Sequence, residues 1–214
     1  MTLVALGIYL LWLLLAFGVP ITATRRRTGG ADSGIRISGR LQWCGEVAFG
    51  VTGLIGLTNP VLDLLGILPR IDPLDHLPLR ILGAVIAVAG VAATVYAQLA
   101  MGSSWRIGVD VTERTNLVTS GPFRLVRNPI FAAMLLTGLG LSLAVPNIVS
   151  FAGLALLYAT VSVLVRRVEE PYLIGMHGSA YLSYARGVGR FLPGIGRLRR
   201  SAAHPSRPER TPPK

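Results

Sequence analysis

Two short stretches bring ionisable side chains together with small and aromatic ones. One reads Gly121-Pro122-Phe123-Arg124-Leu125-Val126-Arg127-Asn128-Pro129-Ile130-Phe131, the other Arg166-Arg167-Val168-Glu169-Glu170-Pro171-Tyr172-Leu173. Guanidinium groups grip carboxylates through two parallel hydrogen bonds, and carboxylates accept hydrogen bonds from hydroxyls and amines. Tyr181 and Tyr184 follow, three residues apart on one helical face. Their rings could cover a flat group or face a cation. His177, in Met176-His177-Gly178, is the nearest side chain that titrates near neutral pH, although a turn histidine before glycine is the commoner explanation. His76, His177 and His204 are scattered, which argues against a metal site. Cys44 is the one cysteine, so neither an internal disulfide nor a Cys-ligated zinc or iron–sulfur site can form within one chain. No Gly-rich phosphate fingerprint follows a strand pattern, so a dinucleotide-binding fold has no support.

The elements that must position these residues are apolar. Of 214 residues, 51% are hydrophobic and 14% charged, and the mean hydropathy is +0.57. Disorder over most of the chain and an ordinary soluble enzyme are both poor fits to that composition. The apolar residues fall in five blocks, at 3–23, 42–58, 81–101, 129–145 and 148–165. A helix needs ~20 apolar residues to cross the hydrocarbon core, and fewer when its ends snorkel. The expected fold is an all-α integral membrane protein with five transmembrane helices. The alternative, a soluble protein with buried helices, would seldom run this long without a charge. Residues 1–23 are expected to stay as the first span, because Arg25, Arg26 and Arg27 follow the apolar run, whereas a signal peptide carries its charge before it.

The net charge of +11 supports this topology. Nineteen basic residues fall after the first block, between the third and fourth, or after the fifth, and only Arg70 and Arg80 lie in the alternate loops. By the positive-inside rule the N-terminus is outside and the C-terminus cytoplasmic. Basic residues bordering a membrane also remove the main argument for nucleic-acid binding. Residues 1–195 are expected to form one polytopic domain, with 196–214 a basic, disordered cytoplasmic tail favouring anionic lipid. The stretch 62–68 is expected to lie in the interface or re-enter the membrane, and Gly50, Gly53 and Gly56 to make a smooth strip where another helix packs closely.

Only Pro146 and Asn147 separate the last two blocks. These blocks must then form an antiparallel hairpin, which brings 121–131 and 166–173 together on one membrane face.

With Gly121-Pro122-Phe123-Arg124, Arg127-Asn128-Pro129-Ile130-Phe131, the hairpin, Glu169-Glu170, Tyr181-x-x-Tyr184 and Pro193 in this order, the chain resembles the isoprenylcysteine carboxyl methyltransferase family. That family is similar to the phospholipid methyltransferases in the same region. The resemblance covers roughly residues 98–195, and its specificity lies in the order and spacing of short motifs. The sequence departs from the usual pattern in having Asn128 for His, Phe123 and Phe131 for Tyr, and Pro171 after the acidic pair. Asn hydrogen-bonds but does not titrate near neutral pH, so a general base at position 128 is in doubt.

The resemblance implies an S-adenosylmethionine-dependent membrane methyltransferase with a cytoplasmic cofactor pocket. Its acceptor would be amphiphilic or lipid-like and enter from the bilayer. Arg127 and Glu169 are the expected catalytic residues. Arg124, Arg127, Asn128, Pro129, Phe131, Glu169, Glu170, Tyr181 and Tyr184 are the expected cofactor-binding set. Carboxylates would take the cofactor's hydroxyls and amine, and Arg127 its carboxylate. Each position has a plainer explanation. Arg124, Arg127, Arg166 and Arg167 flank spans, the acidic pair can neutralise those arginines, and Tyr181 and Tyr184 can anchor at the interface. Glu46 can snorkel to Arg40, and Trp105-Arg106 can line the pocket mouth or anchor there. Two other functions fit the outline: an NADPH-dependent reductase of the sterol-reductase type, and a non-catalytic membrane scaffold.

Overall fold

The computed structural model describes residues 1–19, 21, 40–101 and 117–198. Trp105, Arg106 and the tail from 199 lie outside them. Helix α1 (Thr2–Leu13) continues through a π-helical turn, Leu14–Gly18. Helices α2 (Arg40–Leu64) and α3 (Leu77–Met101) follow, then α4 (Pro129–Ala144) and α5 (Ile148–Leu164). A second π-helical turn, Val165–Glu169, joins α5 to α6 (Glu170–His177), and α7 spans Ser179–Gly187. The described residues contain no strand, only isolated bridges.

Three of these rods are long and apolar enough to cross a membrane: Arg40–Leu64, Leu77–Met101 and Ile148–His177. Thr2–Gly18 and Pro129–Ala144 are apolar but shorter. Large apolar side chains, among them Leu10, Leu54, Val85 and Val88, point away from the bundle, which suits a lipid solvent.

The tightest seam joins α3 to α4. A Cβ on Gly83 would lie 2.6 Å from the Ala144 nitrogen, and one on Gly140 would lie 2.3 Å from the Ala87 nitrogen. Small residues let two backbones approach closely where lipid supplies no hydrophobic drive. The strip expected on α2 behaves differently. Gly56 is covered by the Tyr9 ring, Gly53 only reaches the Tyr9 hydroxyl, and nothing lies within 4 Å of a Cβ at Gly50. Tyr9 donates from its hydroxyl to the Gly53 carbonyl, so α1 meets this face through the Tyr9 side chain at Gly53 and Gly56 and leaves Gly50 uncovered.

Two expected boundaries move. Helix α2 runs through Pro60 to Leu64, so the first three residues of the 62–68 stretch are simply helix. Proline removes one backbone hydrogen bond, a loss that membrane helices tolerate when neighbours re-satisfy the freed group. The last long rod does not stop at Arg166 but runs on to His177. Arg166 and Arg167 are exposed there, so their charge does not oppose the helix.

At the Thr2 end of the bundle, Asp63 accepts from the Thr2 hydroxyl at 2.7 Å and from Arg70 Nε at 2.9 Å. Arg80 donates to Asp75 at 3.0 Å and to the Ala144 carbonyl at 3.1 Å. Both arginines of this end are therefore neutralised locally. The Ile71 N–H donates to the Pro146 carbonyl at 2.8 Å, tying this loop to the α4–α5 turn. In that turn Asn147 caps α5 by accepting from the Ser150 N–H at 2.9 Å.

Candidate functional site

At the other end of the bundle, α4 begins at Pro129, whose fixed φ and missing N–H suit the first helical position. The residues before it cannot join the helix and instead lie beside the segment after α7. Val126 bridges Gly189, the Arg127 N–H donates to the Gly189 carbonyl at 2.8 Å, and the Asn128 N–H donates to the Arg190 carbonyl at 3.1 Å. Gly189 is required here, because a Cβ would sit 2.0 Å from the Leu192 carbonyl oxygen.

This pairing drives the Arg127 side chain into the interior, where the residue is 5% exposed. Its Nη1 donates to the carbonyls of Ala185 at 2.9 Å and Val188 at 2.6 Å. Its Nη2 donates to Glu170 Oε1 at 2.5 Å and to the Gly196 carbonyl at 3.2 Å. Glu170, also 5% exposed, receives a second guanidinium. Arg190 Nε reaches Oε1 at 2.8 Å and Nη2 reaches Oε2 at 2.9 Å, a fork-to-fork pair. One carboxylate thus fastens two arginines from segments 63 residues apart. The carboxylate in turn holds the Arg190 guanidinium still more firmly in its charged form.

The tyrosines belong to the same knot. Tyr181 is 2% exposed, and its ring meets that of Tyr184 at 6.1 Å. Tyr184 donates to the Phe123 carbonyl at 2.6 Å, which ties α7 to the 3₁₀ turn Gly121–Arg124. Burial pushes both phenols up to about 12, so neither is a phenolate base at physiological pH. Interfacial anchoring does not describe a Tyr181 this enclosed.

The predicted residues therefore divide. Arg127, Asn128, Glu170, Tyr181 and Tyr184 meet at one end, and Pro129 is buried at the start of the helix they adjoin. Glu169, the last residue of the π-helical turn, makes no side-chain hydrogen bond or ion pair among the described residues. Arg124 is exposed, and Phe131 packs against the core built on Tyr9, Trp12 and Met134. Sequence reasoning passed over Arg190 and the carbonyls of Ala185, Val188 and Gly196. The available signal was Arg190 itself, three residues before Pro193 in a segment with no acid of its own.

Among the described residues no group of three or more His, Cys, Asp or Glu is placed to hold a metal. Among the described residues, Arg127 Nε and His177 Nε2 are buried without a hydrogen-bond partner. The arrangement supplies a carboxylate at Glu169 that pairs with none of the described residues and an amide at Asn128, supported by a knot whose own charges are spent on one another.

Residues 79–180 match the model of the phospholipid methyltransferase family, a relationship that agrees with the motifs around Arg127 and Glu170. The match takes in α4, α5 and α6, and stops short of Arg190. No curated protein matches the chain.

Proposed function

From a family match of membrane methyltransferase type and a helical bundle suited to lipid, we propose that this protein transfers a methyl group from S-adenosylmethionine to an amphiphilic acceptor at the cytoplasmic face. All five apolar rods cross the bilayer in this reading, with the N-terminus outside. Thr2–Gly18 is ~26 Å long at 1.5 Å per residue, short of a ~30 Å hydrocarbon core by an amount that local thinning accommodates. The observation that carries the reading is the contact between Arg127 and Glu170, which joins the two motif-bearing segments at one end of the bundle.

That contact also revises the expected roles. Arg127 has no free Nη hydrogen-bonding capacity for a cofactor carboxylate, and both oxygens of Glu170 are taken. These two residues frame the site. Glu169, whose side chain pairs with none of the described residues, is the carboxylate suited to the cofactor's amine or ribose hydroxyls, and the Asn128 side-chain oxygen is a further acceptor. The bound cofactor supplies a methyl on a sulfonium, whose S–CH3 bond breaks with the electron pair staying on sulfur. The chain's own task is alignment and exclusion of water. A carboxylate acceptor needs no base. An amine or thiol acceptor needs one, and His177, with its buried and unpartnered Nε2, is the described residue of suitable chemistry.

Equilibrium binding of S-adenosylhomocysteine to the purified protein tests this, with NADPH as the competitor class. The expected result is saturable S-adenosylhomocysteine binding, no NADPH binding, and labelled-methyl transfer into a lipid extract. NADPH binding alone would establish the reductase reading, and binding of neither would establish the scaffold. Glu169→Gln should weaken S-adenosylhomocysteine binding by about 1.5–3 kcal/mol, the worth of a hydrogen bond to a charged group. An unchanged affinity removes Glu169 from the site.

A further inference from the structure

A cavity of about 250 Å³ lies inside the bundle between α1, α2, α4 and α5. Its wall is carbon almost throughout, from Phe17, Phe49 and Met134 at one end to Asn59, Val145 and Ser150 at the other. Along α2 it spans Phe49 to Pro60, ~16 Å at 1.5 Å per residue, about half of a ~30 Å hydrocarbon core. Two of its walls, α1 and α2, precede the family-matched segment.

The two ends differ. The end beside Asn59 is lined by a hydrogen-bonded cluster. Asn59 Nδ2 donates to Ser150 Oγ at 2.8 Å, Ser150 Oγ donates to the Val145 carbonyl at 2.6 Å, and Ser142 Oγ donates to the Ser150 carbonyl at 3.1 Å. The other end points at the candidate site. Phe49 lies within one turn of Glu46, and Met134 within two turns of the start of α4, the helix that Asn128 precedes. Space along the wall comes from Gly50 and Gly53. Nothing lies within 4 Å of a Cβ at Gly50, and only the Tyr9 hydroxyl, at 3.7 Å, does so at Gly53.

We infer that this cavity receives the single apolar tail of the methyl acceptor, with the Asn59–Ser150 plug as the stop that limits tail length. The inference rests on the proposed methyl transfer for the identity of the ligand, and on the cavity alone for its shape. A volume below the roughly 300–1,000 Å³ of a drug-sized pocket takes one chain and excludes a diacyl lipid. A tail with its end against the plug puts its head group at the end of the bundle where Glu169 and Asn128 lie. A tail drawn from the bilayer exchanges one apolar surrounding for another, so its affinity is set by fit and falls once the chain is longer than the distance to the plug.

The test uses the full chain with Trp43→Phe and Trp105→Phe, so that Trp12, on the cavity wall, is the remaining fluorophore. A long-chain fatty acid brominated at mid-chain is the probe. The expected result is saturable quenching of Trp12, weakened at least tenfold by Gly50→Leu and by Gly53→Leu, with S-adenosylhomocysteine binding unchanged in both as the check on folding. Displacement by a farnesyl alcohol or by a straight-chain alcohol supports the site and identifies which kind of chain it prefers. Absence of saturable quenching, quenching that survives both glycine substitutions, or saturable quenching by a brominated diacyl lipid overturns the inference. Lost quenching with intact S-adenosylhomocysteine binding defeats the tail site alone. Intact quenching without S-adenosylhomocysteine binding defeats the methyltransferase reading and leaves a tail-binding cavity.

Discussion

The two ends of the bundle each carry a knot of charged side chains, and the knots differ in what they join and how dry they are. At the Thr2 end, Asp63, Arg70, Asp75 and Arg80 come from one stretch of chain, with Thr2 as the visitor. The Arg70 side chain is 34% exposed and that of Asp75 is 27% exposed. At the Arg127 end, the paired side chains of Arg127 and Glu170 are 1% and 7% exposed, and the knot gathers segments around positions 127, 170 and 190. Water competes for the first set and is excluded from the second. Solvated pairs contribute little net stability, whereas removing one partner of a buried pair strands the other charge. The first knot secures a loop, and the second sets the geometry of the candidate site.

Substitutions that break single bonds in each knot sharpen this contrast. Glu170→Gln should be the most damaging, because it leaves Arg127 and Arg190 buried beside a neutral amide. A loss of about 3–5 kcal/mol is expected, read as a lowered thermal midpoint in detergent together with lost S-adenosylhomocysteine binding. Asp63→Asn should cost less, about 1–3 kcal/mol, since Asp63 is buried but its partner Arg70 can turn to solvent. Cofactor binding should survive that change. Asp75→Asn should cost under about 1 kcal/mol, as at an exposed pair. If Asp63→Asn proves more disruptive than Glu170→Gln, the two ends have been ranked the wrong way round.

Much of the fold was legible in the sequence, because hydropathy is a local property. Each of the five apolar blocks falls on a helix, three of them long enough to span a membrane and two shorter, and the Pro146-Asn147 link is the short turn between α4 and α5. Helix ends were harder. Nothing in Arg166-Arg167 says that the rod continues, because exposed arginines are compatible with either a helix or its end. The glycine strip of α2 was read as a packing face. Spacing cannot say that the Tyr9 side chain would cover Gly53 and Gly56 while Gly50 stays uncovered.

The candidate site was legible as a neighbourhood and not as a set of bonds. Residue types and order were enough to say that Arg127 and the acidic pair would meet. Which acid Arg127 would meet, and that its other hydrogen bonds would go to main-chain carbonyls after α7, follows only from the close approach allowed at Gly189.

The sequence by itself determined a strongly apolar, helical chain, because transfer free energies add along a chain and need no knowledge of partners. Tertiary structure alone decided that Glu170 is held between two guanidinium groups while the Glu169 side chain pairs with none of the described residues, and that four helices line one apolar space. Both outcomes depend on distances between residues far apart in the chain, which spacing along it does not encode.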